Sequence, residues 1–181
     1  MCRNIQPRIV RHGFTMIELM IVVAIIAIAA AIVVPMTSSA GSMQLRAAAT
    51  MVAADLEYAK SMSISRGHRY AVVFDKSEGV EGYQIEDLSQ PVGDPDRIID
   101  HPVRTGSKYL VRFAADNRLS QVDIVDANFD TTNTVSFDYL GSPVNGSNAS
   151  LNSGEITLRA GGLTRRVIVQ PVTGYISISN N

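Results

Sequence analysis

Tryptophan is absent from the 181 residues, and cysteine occurs once, as Cys2. A lone cysteine excludes an intrachain disulfide. No apolar run precedes it that would make it a lipidation site, so the redox compartment has to be inferred from topology. Histidine is scarce too, with three copies. Neither His68 nor His101 belongs to a metal-ligand or triad spacing, and the serines have no companion base in a local motif. No catalytic residue and no cofactor is therefore expected. Asp94, Asp96, Asp100 and His101 are the only set worth weighing as ligands for a hard cation. An exposed acidic loop with prolines is the commoner meaning of such a pattern, and no metal is expected. A basic excess is also lacking. The formal net charge is −1, and Arg3, Arg8 and Arg11 stand without an acid in the first thirteen residues. From Phe14 onward 13 basic residues face 17 acidic ones, which gives no bulk attraction for nucleic acid or anionic lipid.

Length alone suggests one domain with an appendage, and the appendage is visible at the N-terminus. Residues 14–34 contain only two polar side chains, Thr15 and Glu18. As a helix they would extend roughly 31 Å, close to the hydrocarbon thickness of a bilayer. Three arginines precede the run, and the next base is Arg46. The positive-inside rule then keeps the N-terminus cytoplasmic and exports everything after Pro35. A cleaved secretory signal is the competing reading. Here, however, Ala29-Ala30-Ala31 lies inside the run, and no convincing cleavage site follows it. Neither reading explains Glu18, because an acid at membrane depth is costly unless it is paired or close enough to the interface to stay wet.

Beyond Pro35, which should terminate or kink the run, and Gly41, a second weak point, a helical pattern resumes. Leu45, Ala48, Val52, Leu56 and Ala59 form one stripe flanked by Met51, Tyr58 and Met62, with Arg46, Glu57 and Lys60 off it. Asp55 intrudes on the edge of the stripe without an evident reason. Arg66-Gly67-His68 has the composition of a helix end. The period then changes from 3.6 to 2. Strands are expected at 69–74, 83–85, 97–103, 108–113, 121–125, 134–137, 155–159, 166–169 and 176–178, with a polar loop at 145–153 whose composition predicts mobility. Many short strands around one long helix imply an antiparallel head in an α+β fold.

Gly13-Phe14-Thr15-Met16-Ile17-Glu18 followed by the apolar helix resembles the type IV prepilin signature. The resemblance implies cleavage by prepilin peptidase between Gly13 and Phe14 and N-methylation of the new Phe14 amine. It also implies an intersubunit charge pair in which Glu18 of one copy meets the Phe14 amine of its neighbour. The downstream pattern adds a second likeness: Phe137, Gly141 and Pro143, then 154–158, 165–169 and 173–178. Together with AADLEYAKSMSISRG (53–67), it resembles the GspH/FimT family, the H-type minor pseudopilins of type II secretion and their minor-pilin relatives. The pilin-like division implied is a leader at 1–13, a transmembrane and assembly helix at 14–34, its amphipathic continuation at 35–67, and a β-rich head at 68–181. The head would be periplasmic and the chain single-pass in the inner membrane. Expected partners are prepilin peptidase, sibling pseudopilins or pilins in a filament, and inner-membrane lipid, with a secretion substrate as a further candidate. The alternative function is a DNA-binding minor pilin for DNA uptake. Relatives of that kind carry Gly-Arg-x-Arg on the closing strand, where this chain has Gly174-Tyr175-Ile176-Ser177. A weak nucleic-acid contact would fall to Arg159, Arg165 and Arg166, should they cluster across the last hairpin.

Overall fold

The structure, a computed structural model, describes residues 14–180, and for 31–40 the backbone alone. The expected leader, including Gly13, lies outside the described residues. The chain divides into two compact units, Met1–Ser38 and Ser39–Asn181. Helix α1 spans Met16–Arg66. Its assignment continues through Pro35 and Gly41, so the expected termination at Pro35 is not what forms. Proline costs about 3 kcal/mol inside a helix, a cost that its neighbours Val34 and Thr37-Ser38-Ser39 do nothing to offset by propensity. In the first unit, every side chain of residues 14–30 is exposed. Among the described residues no helix is long and apolar enough to cross a membrane. The expected span of 14–34 extends into residues whose side chains lie outside those described.

In the second unit the helix buries Leu45, Ala48, Val52, Leu56 and Ala59, the stripe expected from their spacing, together with Ala49. The last turn closes with a device of its own. Buried Ser63 donates its hydroxyl to the Ala59 carbonyl at 3.0 Å and accepts the Tyr70 N–H at 3.1 Å. One side chain thereby joins the helix end to the first strand. Gly67 takes φ +72°, and its N–H returns to the Ser63 carbonyl, the left-handed cap that glycine adopts without penalty.

Nine strands follow among the described residues: β1 Tyr70–Asp75, β2 Gly82–Asp87, β3 Leu110–Arg112, β4 Asp123–Phe129, β5 Thr134–Phe137, β6 Pro143–Asn145, β7 Gly154–Ala160, β8 Leu163–Val169 and β9 Ile176–Asn180. They form two sheets, ordered β3-β2-β1-β5-β6 and β4-β7-β8-β9, and every strand pairing is antiparallel. The helix stripe and the inner faces of both sheets share one core. Phe74 of β1 joins the sheets through an aromatic contact with Phe129 of β4 at 5.7 Å, and it meets Tyr83 at 5.5 Å within its own sheet. Lys60 fastens the helix to the far end of the second sheet, donating to the carbonyls of Thr173 and Gly174 at 3.1 and 3.0 Å.

The departures from expectation have local causes. Residues 97–103 make isolated bridges, Glu86 with Ile98 and Asp100 with Lys108, rather than a strand. Pro95 lies just before that run and Pro102 within it, and neither offers a ladder donor. The neighbouring strand contracts to Leu110–Arg112. Conversely, β4 runs on to Phe129 because a bulge after Ile124 resets the alternation, so that Ala127 and Phe129 face the core. The unexpected β6 is an edge strand that starts on Pro143, where a missing N–H is tolerated. The polar loop is knitted by side chains. Asn145 accepts the N–H groups of Ser147 and Ala149, and Asp130 accepts those of Asn152 and Ser153.

Gly82 marks the tightest approach between strands, since a Cβ there would lie 2.0 Å from the Val111 carbonyl oxygen. Gly82→Ala is expected to force β2 and β3 apart at a cost of about 1–3 kcal/mol, lowering the thermal midpoint by several degrees. An unchanged midpoint in a calorimetric scan would contradict this strand pairing.

Candidate assembly site and head surface

The first turn of α1 is built by Thr15 and Glu18. The Glu18 N–H donates to Thr15 Oγ1 at 3.3 Å, and the Leu19 N–H donates to the Thr15 carbonyl at 3.2 Å. Thr15 is thus the N-cap residue, and Thr-x-x-Glu has the order of a capping box. Glu18 also lies in the first turn, where the helix dipole favours a negative charge. Both effects would operate in any water-soluble helix. The surroundings are what set this helix end apart. Phe14 is 78% exposed and Met16 83%, and the side chains up to residue 30 are exposed and apolar on all sides, with Glu18 the only charge among them. Such a surface belongs against lipid or other helices. The cap engages only the backbone N–H of Glu18, so its carboxylate is available to a partner.

On the head, the structure does not bring the three candidate arginines together. Arg159 and Arg166 lie on the outer face of the β7–β8 pair, each beside an acid: Asp123 at 3.7 Å and Glu155 at 3.6 Å. Arg165 is opposite buried Leu158 in the register and therefore points to the other face. The acidic loop is equally dispersed. Lys108 holds Asp96 and Asp100 at 3.2 and 3.0 Å, and Asp94 accepts the Asp96 N–H within its own turn. His101 Nδ1 accepts the N–H groups of Val103 and Arg104. Among the described residues no group of three or more His, Cys, Asp or Glu is placed to hold a metal ion. His68 joins the helix end to β2, with Nε2 at 3.1 Å from both Asp87 and the Tyr70 hydroxyl. Partial burial works against the Asp87 charge, but hydrogen bonds from Ser89 and His68 outweigh it and hold the carboxyl below its ordinary range.

Comparison with known families settles the lineage. The model for the type II transport protein GspH matches residues 48–174. The chain belongs to the GspH family. The prokaryotic N-terminal methylation motif matches residues 9–34 as well. Two solved structures are similar to this GspH-family chain, and the first of them shares its fold. The minor pseudopilin EpsH from the type 2 secretion system of Vibrio cholerae is 11% identical, with 76% of this chain and 97% of that one covered and a TM-score of 0.50. The type IV minor pilin FimU of Pseudomonas aeruginosa PAO1 is 19% identical, with 75% and 92% covered and a TM-score of 0.47. No curated protein sequence matches the chain at a significant level.

Within this GspH-family head, the acid that disturbed the helix stripe has a purpose. Asp55 accepts hydrogen bonds from the hydroxyls of Tyr83 at 2.5 Å and Tyr109 at 2.8 Å, and Tyr109 stacks on both Tyr58 and His101. The helix is thereby tied to β2 and to the loop before β3. Burial pushes the Asp55 carboxyl up, and the two tyrosine bonds and nearby His101 only partly oppose it. Burial and the Asp55 charge raise both phenols. Sequence reading registered the misplaced acid but not its partners, since tyrosines about 28 and 54 residues away carry no local motif.

The linkage has a definite sign. The folded protein holds the Asp55 proton more tightly than the unfolded chain does. The resulting stability is complete below the ordinary value of 3.8 and is lost as pH rises through the raised folded value. In thermal melts, the lead of the native protein over Asp55→Asn should therefore shrink as pH climbs from about 4. A lead that stays constant with pH would refute the raised carboxyl.

Proposed function

We propose that this chain is a minor pseudopilin or minor pilin whose role is structural rather than catalytic. It is made as a prepilin, cut by prepilin peptidase between Gly13 and Phe14, and methylated on the new amine. Residues 14–34 hold it in the inner membrane with the head in the periplasm, and it is built into a type II secretion pseudopilus or a type IV pilus-like filament. The carrying observation is a helix start that is apolar and exposed on every side, with one acid in its first turn, followed by a GspH-family head. A carboxylate deep in hydrocarbon costs about 2.5–3.5 kcal/mol, and a charged chain start there is unfavourable for the same reason. When Glu18 of one copy meets the Phe14 amine of the next, each charge offsets the other. Misregistered copies leave both unpaired, so the pair sets the stagger.

Mass spectrometry of the membrane-extracted protein should show a chain beginning at methylated Phe14. An intact Met1, or trimming elsewhere, would remove the basis of this reading. Glu18→Ala should still insert and be cut normally, yet be largely missing from sheared filaments. Incorporation at the native level would show that the charge pair does not set register.

A further inference from the structure

One cavity on the head serves none of the roles above. It has a volume of about 260 Å³ and lies between Ser42, Leu45 and Arg46 of α1 and Leu163, Thr164 and Arg165 of β8, with Asn180 of β9 at its margin. Arg165 reaches it because it occupies the helix-facing side of β8, in line with buried Val167 and Val169. It is half-buried there, whereas Arg46 across the cavity is exposed. The two arginines on the outer face of this hairpin have acids beside them. Among the described residues, the side chain of neither Arg46 nor Arg165 forms an ion pair or donates a hydrogen bond. Two guanidinium groups facing one cavity repel each other and present forked N–H donors whose geometry suits phosphate oxygens. An oxyanion between them would relieve the repulsion and satisfy those donors.

We propose that this cavity binds the phosphate of an anionic phospholipid. Free phosphate shares that chemistry, but the surroundings favour an amphiphile. Arg46 also borders a second cavity of about 470 Å³ lined by Ala47, Thr50, Met51, Ala54, Leu119 and Arg118, whose guanidinium pairs with Asp116, so a charged head and a hydrocarbon chain each have a place on either side of one residue. Met43 and Leu163 next to the site are 70% and 49% exposed. Arg46 is moreover the first base after the apolar run, twelve residues past Val34. Only this last point rests on the membrane-anchored reading. The net negative charge from Phe14 onward gives no diffuse attraction, so binding depends on these two side chains.

The test uses the full chain in a neutral detergent and isothermal titration with dihexanoyl phosphatidylglycerol, inorganic phosphate and a short DNA duplex in turn. The lipid should bind saturably, at least about tenfold more tightly than phosphate. Its affinity should fall about tenfold or more in Arg46→Gln and in Arg165→Gln. Arg165→Lys should retain more affinity than Arg165→Gln, and Arg159→Gln, on the outer face, should bind like the native chain. Arg46 is exposed, so its replacement leaves the fold intact and keeps the result interpretable. Equal affinity for phosphate and lipid would overturn the lipid as occupant, as would preferential binding of the duplex. The site itself falls if no ligand saturates, or if Arg159→Gln weakens binding as much as Arg165→Gln does. An intact Met1 terminus would defeat the filament reading without altering any of these titrations.

Discussion

The protein depends on one helix that carries two incompatible surface patterns in sequence. Up to residue 30 its side chains, Thr15 and Glu18 apart, are apolar in every direction and exposed. From Leu45 onward only a stripe is apolar, and that stripe is buried against two sheets. A one-sided stripe is what a water-soluble core requires, whereas an all-round apolar surface has no use for water at all. No sequence change confined to the head can relieve that second requirement. It must be met by other apolar surfaces, and this is why a place in a filament gives the chain a consistent physical setting.

Around the stripe, polar contacts decide where the sheets attach. Ser63 joins the helix end to β1, Asp55 takes hydroxyls from Tyr83 and Tyr109, and Lys60 holds the turn before β9. Hydrophobic burial would tolerate many angles between helix and sheet, because it has no direction. Charged and hydroxyl groups at fixed points on the stripe's margin remove that freedom. The Phe74–Phe129 contact does the corresponding work between the two sheets.

Much of this was legible in the amino-acid sequence because its causes are local. The stripe from Leu45 to Ala59, the Gly67 cap, and the strands at 134–137 and 155–159 follow from spacing and turn chemistry within a few residues. The prepilin signature around Gly13, Phe14 and Glu18 is likewise a contiguous pattern. The reading of 97–103 as a strand was only partly right: Arg97, Ile99 and His101 make backbone bonds to neighbouring segments, but Pro102 inside the run leaves them as isolated bridges. Strand β6 escaped notice because three residues beginning with proline carry no alternation. The three arginines near the last hairpin looked like one cluster, since sequence proximity does not reveal which face of a strand a side chain takes. The Thr15 cap was readable from Thr-x-x-Glu, yet it is easily overlooked inside a run that reads first as hydrocarbon.

Lys60 and Asp55 give the head a mechanical property. They sit little more than one helical turn apart, yet Asp55 is fastened to the first sheet and Lys60 to the second. A tug along the helix axis is therefore divided between two attachment lines and loads several bonds in shear at once, rather than peeling them singly. In a filament subunit of this family, that division lets the core stay closed while the helix carries a load.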